Sequence, residues 1–115
     1  MTTSADWSIA EVEAVVVDYF DMLALELAGA PYSKTEHRRA LLPKLLERTA
    51  QSVEYKHANI SAALIDAGFP YIDWYKPRSN YQSLLARVVG ERLADDERLR
   101  RIAAADVEAP IGVPE

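Results

Sequence analysis

Helix-initiation signals recur along this chain and predict that it folds mainly as helices. Three tetrapeptides have the form Ser-x-x-Glu/Gln, at Ser8–Glu11, Ser33–Glu36 and Ser79–Gln82. In such a capping box the serine hydroxyl and the acid or amide side chain each bond a backbone amide that the first helical turn leaves unpaired. Apolar residues at steps of three and four follow each box, which is the spacing of one buried helix face. The pattern predicts an all-α fold, a compact bundle of four to five helices.

Glycine and proline residues bound the first two predicted helices. The first helix is predicted over about 9–28, because Gly29 and Pro31 end the apolar pattern. The second begins at Ser33. Pro43 lies inside its apolar pattern and has no amide hydrogen, so it must kink this helix or split it in two.

An aromatic loop is predicted to follow the third helix. Ser52 is the expected cap of this helix and Gly68 its end, unless Asn59 acts as a second cap and divides it. Residues 69–79 are too rich in proline and aromatic residues for a helix, and they predict an extended loop or a short pair of strands. The helices on either side of this loop form a helix-turn-helix-like unit, although its turn is longer than usual for that motif.

The last part of the chain divides into a helical segment and a tail. A fourth helix is expected from the box at Ser79, and a short fifth one from Asp95 to Arg101. Residues 103–115 contain alanine, valine and two prolines but no aromatic residue, which is typical of a linker. We therefore predict a helical accessory domain over 1–102 and a linker-like tail over 103–115, and infer that the chain is part of a longer protein.

The charge of the chain is concentrated in blocks. The formal net charge is -5, but residues 1–32 contain six acidic residues and no Lys or Arg, and residues 91–115 have a net charge of -3. Residues 33–90 contain nine basic residues against five acidic ones. An anionic ligand would therefore meet the middle of the chain. The alternative interpretation is that these bases are ordinary solvated helix faces.

Composition predicts a soluble, cytoplasmic domain. With 115 residues, half of them hydrophobic, the chain can bury one core, and the absence of cysteine excludes disulfides and thiolate zinc sites. Asp18, Asp21 and Glu26 interrupt the longest apolar stretch, so no membrane span is expected. The first residues have no signal-like pattern.

No constellation of residues predicts a catalytic site, a metal site or a cofactor. Glu54 and Lys56 have the Glu-x-Lys spacing of one class of metal-dependent nuclease, but that chemistry needs both residues on one strand face and a further upstream acid. A solvated helix start explains the pair as well. His37 and His57 have no metal ligand or nucleophile at a recognised spacing, so we interpret them as structural histidines, with a phosphate or base contact as the alternative. The chain is predicted not to be an enzyme.

Basic, amide and aromatic side chains cluster between the third and fourth helices and predict nucleic-acid binding. Lysine and arginine bind phosphates, asparagine and glutamine match base edges, and aromatic rings stack on exposed bases. The candidate residues are Arg38, Arg39, Lys56, His57, Asn59, Trp74, Tyr75, Lys76, Arg78, Asn80 and Gln82. For Trp74, Tyr75 and Tyr81 the alternative of covering the core stays open.

Several short runs carry a resemblance to a known kind of domain. They are Pro31-Tyr32, His37-Arg38-Arg39-Ala40-Leu41-Leu42, Ser52-Val53-Glu54-Tyr55-Lys56-His57, Asn59-Ile60-Ser61-Ala62, Pro70-Tyr71-Ile72, Tyr75-Lys76-Pro77 and Asn80-Tyr81-Gln82. Over residues 7–92 the chain resembles an N-terminal domain of multidomain bacterial proteins, some of which carry HNH-nuclease or other restriction-like modules. The resemblance implies an accessory, target-recognising role in a defence protein, with sensing of modified DNA as one form of it. It assigns no ligand and transfers no functional residue.

A protein-interaction or dimerisation module is the alternative function. The first predicted helix has apolar residues outside its main stripe, at Val15, Val17, Met22 and Leu25. A helix that is apolar on so much of its circumference buries more than one face. A homodimer would account for that, and so would contact with other domains of the same longer chain.

Overall fold

The computed structural model describes residues 7–72 and 75–108, and these residues form five α-helices and one short 3-10 turn. The helices are α1 (Ile9–Leu27), α2 (Lys34–Leu41), α3 (Ala50–Asp66), α4 (Ser83–Asp95) and α5 (Glu97–Glu108), and the 3-10 turn is Leu42–Lys44. No strand occurs among the described residues, so the predicted all-α bundle is confirmed. Within the same residues, no helix combines the length and apolarity needed to cross a membrane.

Helix α1 is the central element of the bundle. It begins at the predicted capping box, in which the Ser8 hydroxyl accepts from the Glu11 amide and the Glu11 carboxylate accepts from the Ser8 amide. The other four helices all pack against it. Val15 and Met22, which lie outside the main apolar stripe, are fully buried by these neighbours, whereas Val17 is exposed. The apolar circumference of α1 is therefore largely accounted for inside one chain.

The second and third helices show where local signals predicted correctly and where they did not. Pro43 ends α2, as expected, because the chain passes into the 3-10 turn and then leaves the helical conformation at Leu45. Helix α3 is capped by Thr49, and Ser52 is the third helical residue of that capping box, so the predicted cap at Ser52 was wrong. Asn59 does not divide the helix: it is buried in the middle of α3.

The fourth and fifth helices differ from the prediction at their ends. Gln82 is the N-cap of α4 and makes no side-chain capping bond, so the box predicted at Ser79–Gln82 does not form. Helix α5 begins after Asp96, whose carboxylate accepts from the Leu99 amide. It continues to Glu108 and so includes residues for which a linker was predicted. The rest of that predicted tail lies outside the described residues.

The loop between α3 and α4 is fastened to the core by one tyrosine. The Tyr19 hydroxyl of α1 lies 2.7 Å from the Ser61 hydroxyl of α3 and accepts from the Ile72 amide at 2.8 Å. Gly68 has a φ of 72°, which lets the chain reverse direction directly after α3. The connection therefore extends from residue 67 to residue 82, far longer than the turn of a helix-turn-helix motif.

Candidate nucleic-acid interface

Three hydrogen bonds fix the second half of the α3–α4 loop against α3. The Arg78 amide donates to the Ala58 carbonyl at 3.1 Å, and the Asn59 side-chain amide donates to the Arg78 carbonyl at 2.7 Å. The Lys56 ammonium donates to the Gln82 side-chain oxygen at 2.8 Å. Because Lys56 and Asn59 are almost completely buried, these bonds form where water competes little, and they hold the polar loop in a defined position.

Two concave surfaces lie on either side of Tyr55, where the loop meets α3. The larger one, the amide groove, has a volume of about 430 Å³ and contains the starts of α3 and α4 in its walls. The amide groove is lined by Trp7, Thr49, Gln51, Ser52, Tyr55, Lys56, Asn59, Asn80 and Gln82. The smaller one, the basic groove, has a volume of about 270 Å³. The basic groove is lined by Gln51, Glu54, Tyr55, Ala58, Tyr75, Lys76 and Arg78.

Tyr55 forms an aromatic platform between the two grooves. Its side chain is 46% exposed, and the guanidinium carbon of Arg78 lies 4.6 Å from the centre of its ring. Arg78 lines only the basic groove, whereas Tyr55 contributes to both. The ring is therefore stacked with a cation, partly exposed, and part of the lining of both grooves.

Sequence reasoning did not select Tyr55. The signal that identifies it is its position relative to the apolar stripe of α3, which Val53, Ile60 and Leu64 define. An aromatic residue outside the stripe of an amphipathic helix has no core position to fill and must either pack under another element or stay exposed. The neighbouring Glu54 and Lys56 drew the interpretation toward nuclease chemistry instead.

Besides Tyr75, six of the predicted site residues line the two grooves, and one of them, Asn59, is buried in the wall of the amide groove. Lys76, Arg78 and Asn80 are exposed on the loop, and Lys56 and Gln82 contribute to the wall of the amide groove. Arg38 and Arg39 are on α2 and line neither groove. Trp74 lies outside the described residues.

Two other predicted site residues are inside the fold. His57 is 1% exposed and Tyr75 is 4% exposed, and their ring centres are 4.7 Å apart. Burial raises the pKa of the Tyr75 hydroxyl well above its usual range. The His57 Nε2 atom lies 3.3 Å from a carboxylate oxygen of Asp18, whose other oxygen is 2.8 Å from His37 Nδ1. In this arrangement both histidines and Tyr75 join α1, α2, α3 and the loop.

Tyr81, for which the sequence left two interpretations open, lies at the end of the loop. Its ring packs partly against the core, and its hydroxyl donates to the Asp66 carboxylate at the end of α3. This bond raises the pKa of the Tyr81 hydroxyl. The residue therefore fastens the loop beside α4 and does not line either groove.

An ion pair supports the wall of the amide groove that Trp7 forms. The guanidinium of Arg48 lies 4.6 Å from the Trp7 ring centre and binds the Glu11 carboxylate through two nitrogens, at 3.0 Å each. The Arg48 hydrogen bond is the main cause that lowers the pKa of Glu11 to about 2. Trp7 is itself nearly buried. The Arg48–Glu11 ion pair packs against its ring and stabilises this part of the groove wall.

The nuclease interpretation finds no supporting geometry. Glu54 and Lys56 are two residues apart on α3, and one is exposed while the other is buried. Positions two apart on a helix do not face each other, in contrast to the common strand face that this chemistry requires. In the part of the chain that the structure describes, no group of three His, Asp or Glu side chains is placed to hold a metal ion.

No protein-family model matches the chain, and neither does any curated protein or solved structure. The resemblance to an N-terminal domain of bacterial restriction-like proteins therefore stays a prediction. What the protein binds must be inferred from its own residues.

Proposed function

We propose that this domain binds nucleic acid, in the first instance DNA, through the surface that consists of the amide groove, the basic groove and the Tyr55 platform. The observation that carries the proposal is the position of Lys76, Arg78 and Asn80. All three are exposed on one loop that hydrogen bonds hold beside an exposed aromatic ring. Cations for phosphate, amides for base edges and a ring for stacking are the groups that nucleic-acid recognition uses.

The local charge supports an anionic ligand despite the negative net charge of the chain. Lys56, Lys76 and Arg78 surround the platform, and Glu54 is the acidic residue among the groove linings. The Lys34 ammonium lies 3.9 Å from the Glu54 carboxylate and offsets part of its charge. Electrostatic attraction acts within about 10 Å at moderate salt, so this cluster matters more to a phosphate than the distant acids do.

The resemblance suggests the kind of protein in which this activity would occur. We propose that the domain is an accessory, target-recognising part of a larger cytoplasmic bacterial defence or restriction-like protein, with the catalytic module elsewhere in that protein. Sensing of modified DNA is the form of recognition that this setting favours. An accessory role agrees with a surface whose described residues contain binding groups but no group of three side chains placed to hold a metal ion.

Titration with labelled DNA at several salt concentrations tests the proposal. Fluorescence anisotropy should show binding that weakens steeply with salt. The double variant Lys76→Ala/Arg78→Ala should reduce the slope of log Kd against log salt by about 2, because each lost phosphate contact removes about 1 from it. The matched control is Lys44→Ala/Arg87→Ala, which removes the same charge from exposed residues that line neither groove. No binding at low salt, or equal loss in both double variants, would overturn the proposal.

The dimerisation alternative keeps only part of the observation that suggested it, since Val15 and Met22 of α1 are buried within the chain while Val17 is exposed. We expect light scattering to give a monomer mass over a concentration series. A dimer that forms without DNA would restore the alternative, and Val17→Asp would then be the variant to test, because Val17 is the exposed apolar residue of that set.

A further inference from the structure

We infer that the ligand of this site is an unpaired nucleotide in a single strand, with its base stacked on Tyr55 and its edge facing the amide groove. This inference rests on the proposed function and specifies the form of nucleic acid that the site takes. The alternative within the same function is a paired duplex read through its grooves. Three features of the surface distinguish the two.

The first feature is the platform itself. In a duplex the faces of each base are covered by its neighbours, and only the base edges are accessible in the grooves. An exposed tyrosine ring can stack on a base only when that base has left the duplex stack or belongs to a single strand. Tyr55 is half exposed and borders both grooves, and Arg78 holds it by stacking from the basic groove. A partly exposed ring in the wall of a groove is a surface on which a base can stack.

The second feature is the amide groove next to this ring. Its volume of about 430 Å³ is within the range of sites that hold small ligands. Gln51 and Asn80 are exposed at its edge, whereas Asn59 and Gln82 are held by Arg78 and Lys56. A side-chain amide carries both a donor and an acceptor, so it can pair with the edge of a base. The groove therefore combines base-edge partners with an adjacent stacking surface.

The third feature is that the middle of α3 cannot enter the groove of a duplex. Every residue from 56 to 64 is buried, under the loop and the neighbouring helices. A helix that reads duplex DNA must place exposed side chains in the major groove. The predicted helix-turn-helix-like docking is therefore not available to this stretch of α3, although its residues Lys56, His57 and Asn59 suggested it.

The charges are arranged to accommodate the backbone of such a strand. Lys76 and Arg78 line the basic groove, Asn80 lines the amide groove, and Gln51 lines both. A strand that crosses the platform would place its phosphates near the cations and one base over the ring. This geometry needs only one or two nucleotides in contact, so it serves a single strand or a nucleotide that has been extruded from a duplex.

The test uses one labelled oligonucleotide of about 12 nucleotides, a length within the site sizes of known single-strand-binding folds. Binding of this oligonucleotide as a single strand is compared with its binding after annealing to the complementary strand. The whole chain is titrated with each at the same salt concentration. The single strand should bind at least about ten-fold more tightly. Tyr55→Ala should weaken single-strand binding by about ten-fold or more, which is the effect of removing one stacked base, and should leave residual duplex binding unchanged.

Two further variants separate stacking from structural effects. Tyr55→Phe keeps the ring and should keep the affinity, whereas Arg78→Lys keeps the charge but lacks the planar guanidinium and should weaken single-strand binding. Circular dichroism checks that each variant folds, which is expected because Tyr55 is not part of the core.

The possible results distinguish failure of this inference from failure of the proposed function. Duplex binding that is tighter than single-strand binding, or single-strand binding that Tyr55→Ala leaves unchanged, would overturn this inference and leave the proposed function standing. Equal weakening of both forms by Tyr55→Ala would also overturn it. Absence of binding to either form at low salt would overturn the proposed function itself.

Discussion

Replacement of Glu11 by Gln should destabilise this protein strongly at neutral pH and much less in acid. The Glu11 carboxylate is buried and accepts four hydrogen bonds. One oxygen accepts from the Ser8 amide at 3.1 Å and from Arg48 Nη2 at 3.0 Å. The other accepts from the Leu46 amide at 2.9 Å and from Arg48 Nε at 3.0 Å. This carboxylate therefore joins the start of α1 to the segment before α3.

The shift in the pKa of Glu11 gives the size of the expected loss of stability. In the folded protein the Arg48 hydrogen bond is the largest cause that lowers this pKa, from 4.5 to about 2. Because the folded-state pKa is the lower one, the ionised carboxylate stabilises the fold fully above pH 4.5, and this contribution falls as the pH falls toward about 2. At about 1.4 kcal/mol for each pH unit, it amounts to about 3 kcal/mol. Gln cannot ionise, so Glu11→Gln leaves the Arg48 guanidinium without a carboxylate partner. Breaking a buried ion pair in this way typically lowers the free energy of unfolding by about 3–5 kcal/mol.

Urea unfolding at a series of pH values between about 7 and 3 measures the loss of stability at neutral pH and its dependence on pH. The wild-type free energy of unfolding should decrease with acid, and the difference between wild type and Glu11→Gln should shrink in parallel. The matched control is Glu13→Gln on the same helix, whose carboxylate is 44% exposed and lies 3.9 Å from Arg92. It should cost less than about 1 kcal/mol. Parallel pH curves for wild type and Glu11→Gln, or equal losses in the two variants, would refute the reasoning.

Four further variants test the packing and the loop. Tyr19→Phe should cost about 1–3 kcal/mol in urea unfolding, because it leaves the buried Ile72 amide without an acceptor; a loss below about 0.5 kcal/mol would contradict this role. Gly68→Ala should lower the melting temperature because a φ of 72° costs a side chain about 1–2 kcal/mol, whereas Gly90→Ala, in open space within α4, should raise it; shifts of the same sign would be inconsistent with this assignment. Asn59→Ala should speed trypsin cleavage after Arg78 and weaken DNA binding without a change in charge, since it removes the bond to the Arg78 carbonyl; unchanged cleavage would mean that the loop is held by other contacts.

Local signals predicted the helices well where neighbours in sequence decide the outcome. The capping box at Ser8 and the glycine after α1 gave the bounds of that helix almost to the residue. Pro43 ended α2 because it has no amide hydrogen to donate, whatever surrounds it. The same kind of signal failed at Gln82, whose side chain accepts from Lys56, a residue of α3, instead of capping its own helix.

The candidate site, like the helices, was predicted correctly only where local sequence decides the outcome. The cluster of bases and amides between α3 and α4 was visible in the sequence, and six of its members line the two grooves. Sequence reasoning could not separate exposed from buried members, because the partners of Asn59 and Tyr75 lie many residues away. It also overlooked Tyr55, which lies outside the apolar stripe of α3 and is 46% exposed.

The sequence alone thus determined that the chain is helical, where α1 begins and ends, and which segment concentrates positive charge and aromatic residues. These properties depend on backbone conformation and on contacts within one or two helical turns. The tertiary structure alone decided which polar groups in that segment are free to bind a ligand. Lys56 and Asn59 are committed to the loop, His57 and Tyr75 to the core, and Tyr55 is left at the surface. That division follows from packing between distant segments, since a buried polar group must take its hydrogen-bond partner from whatever element is folded against it.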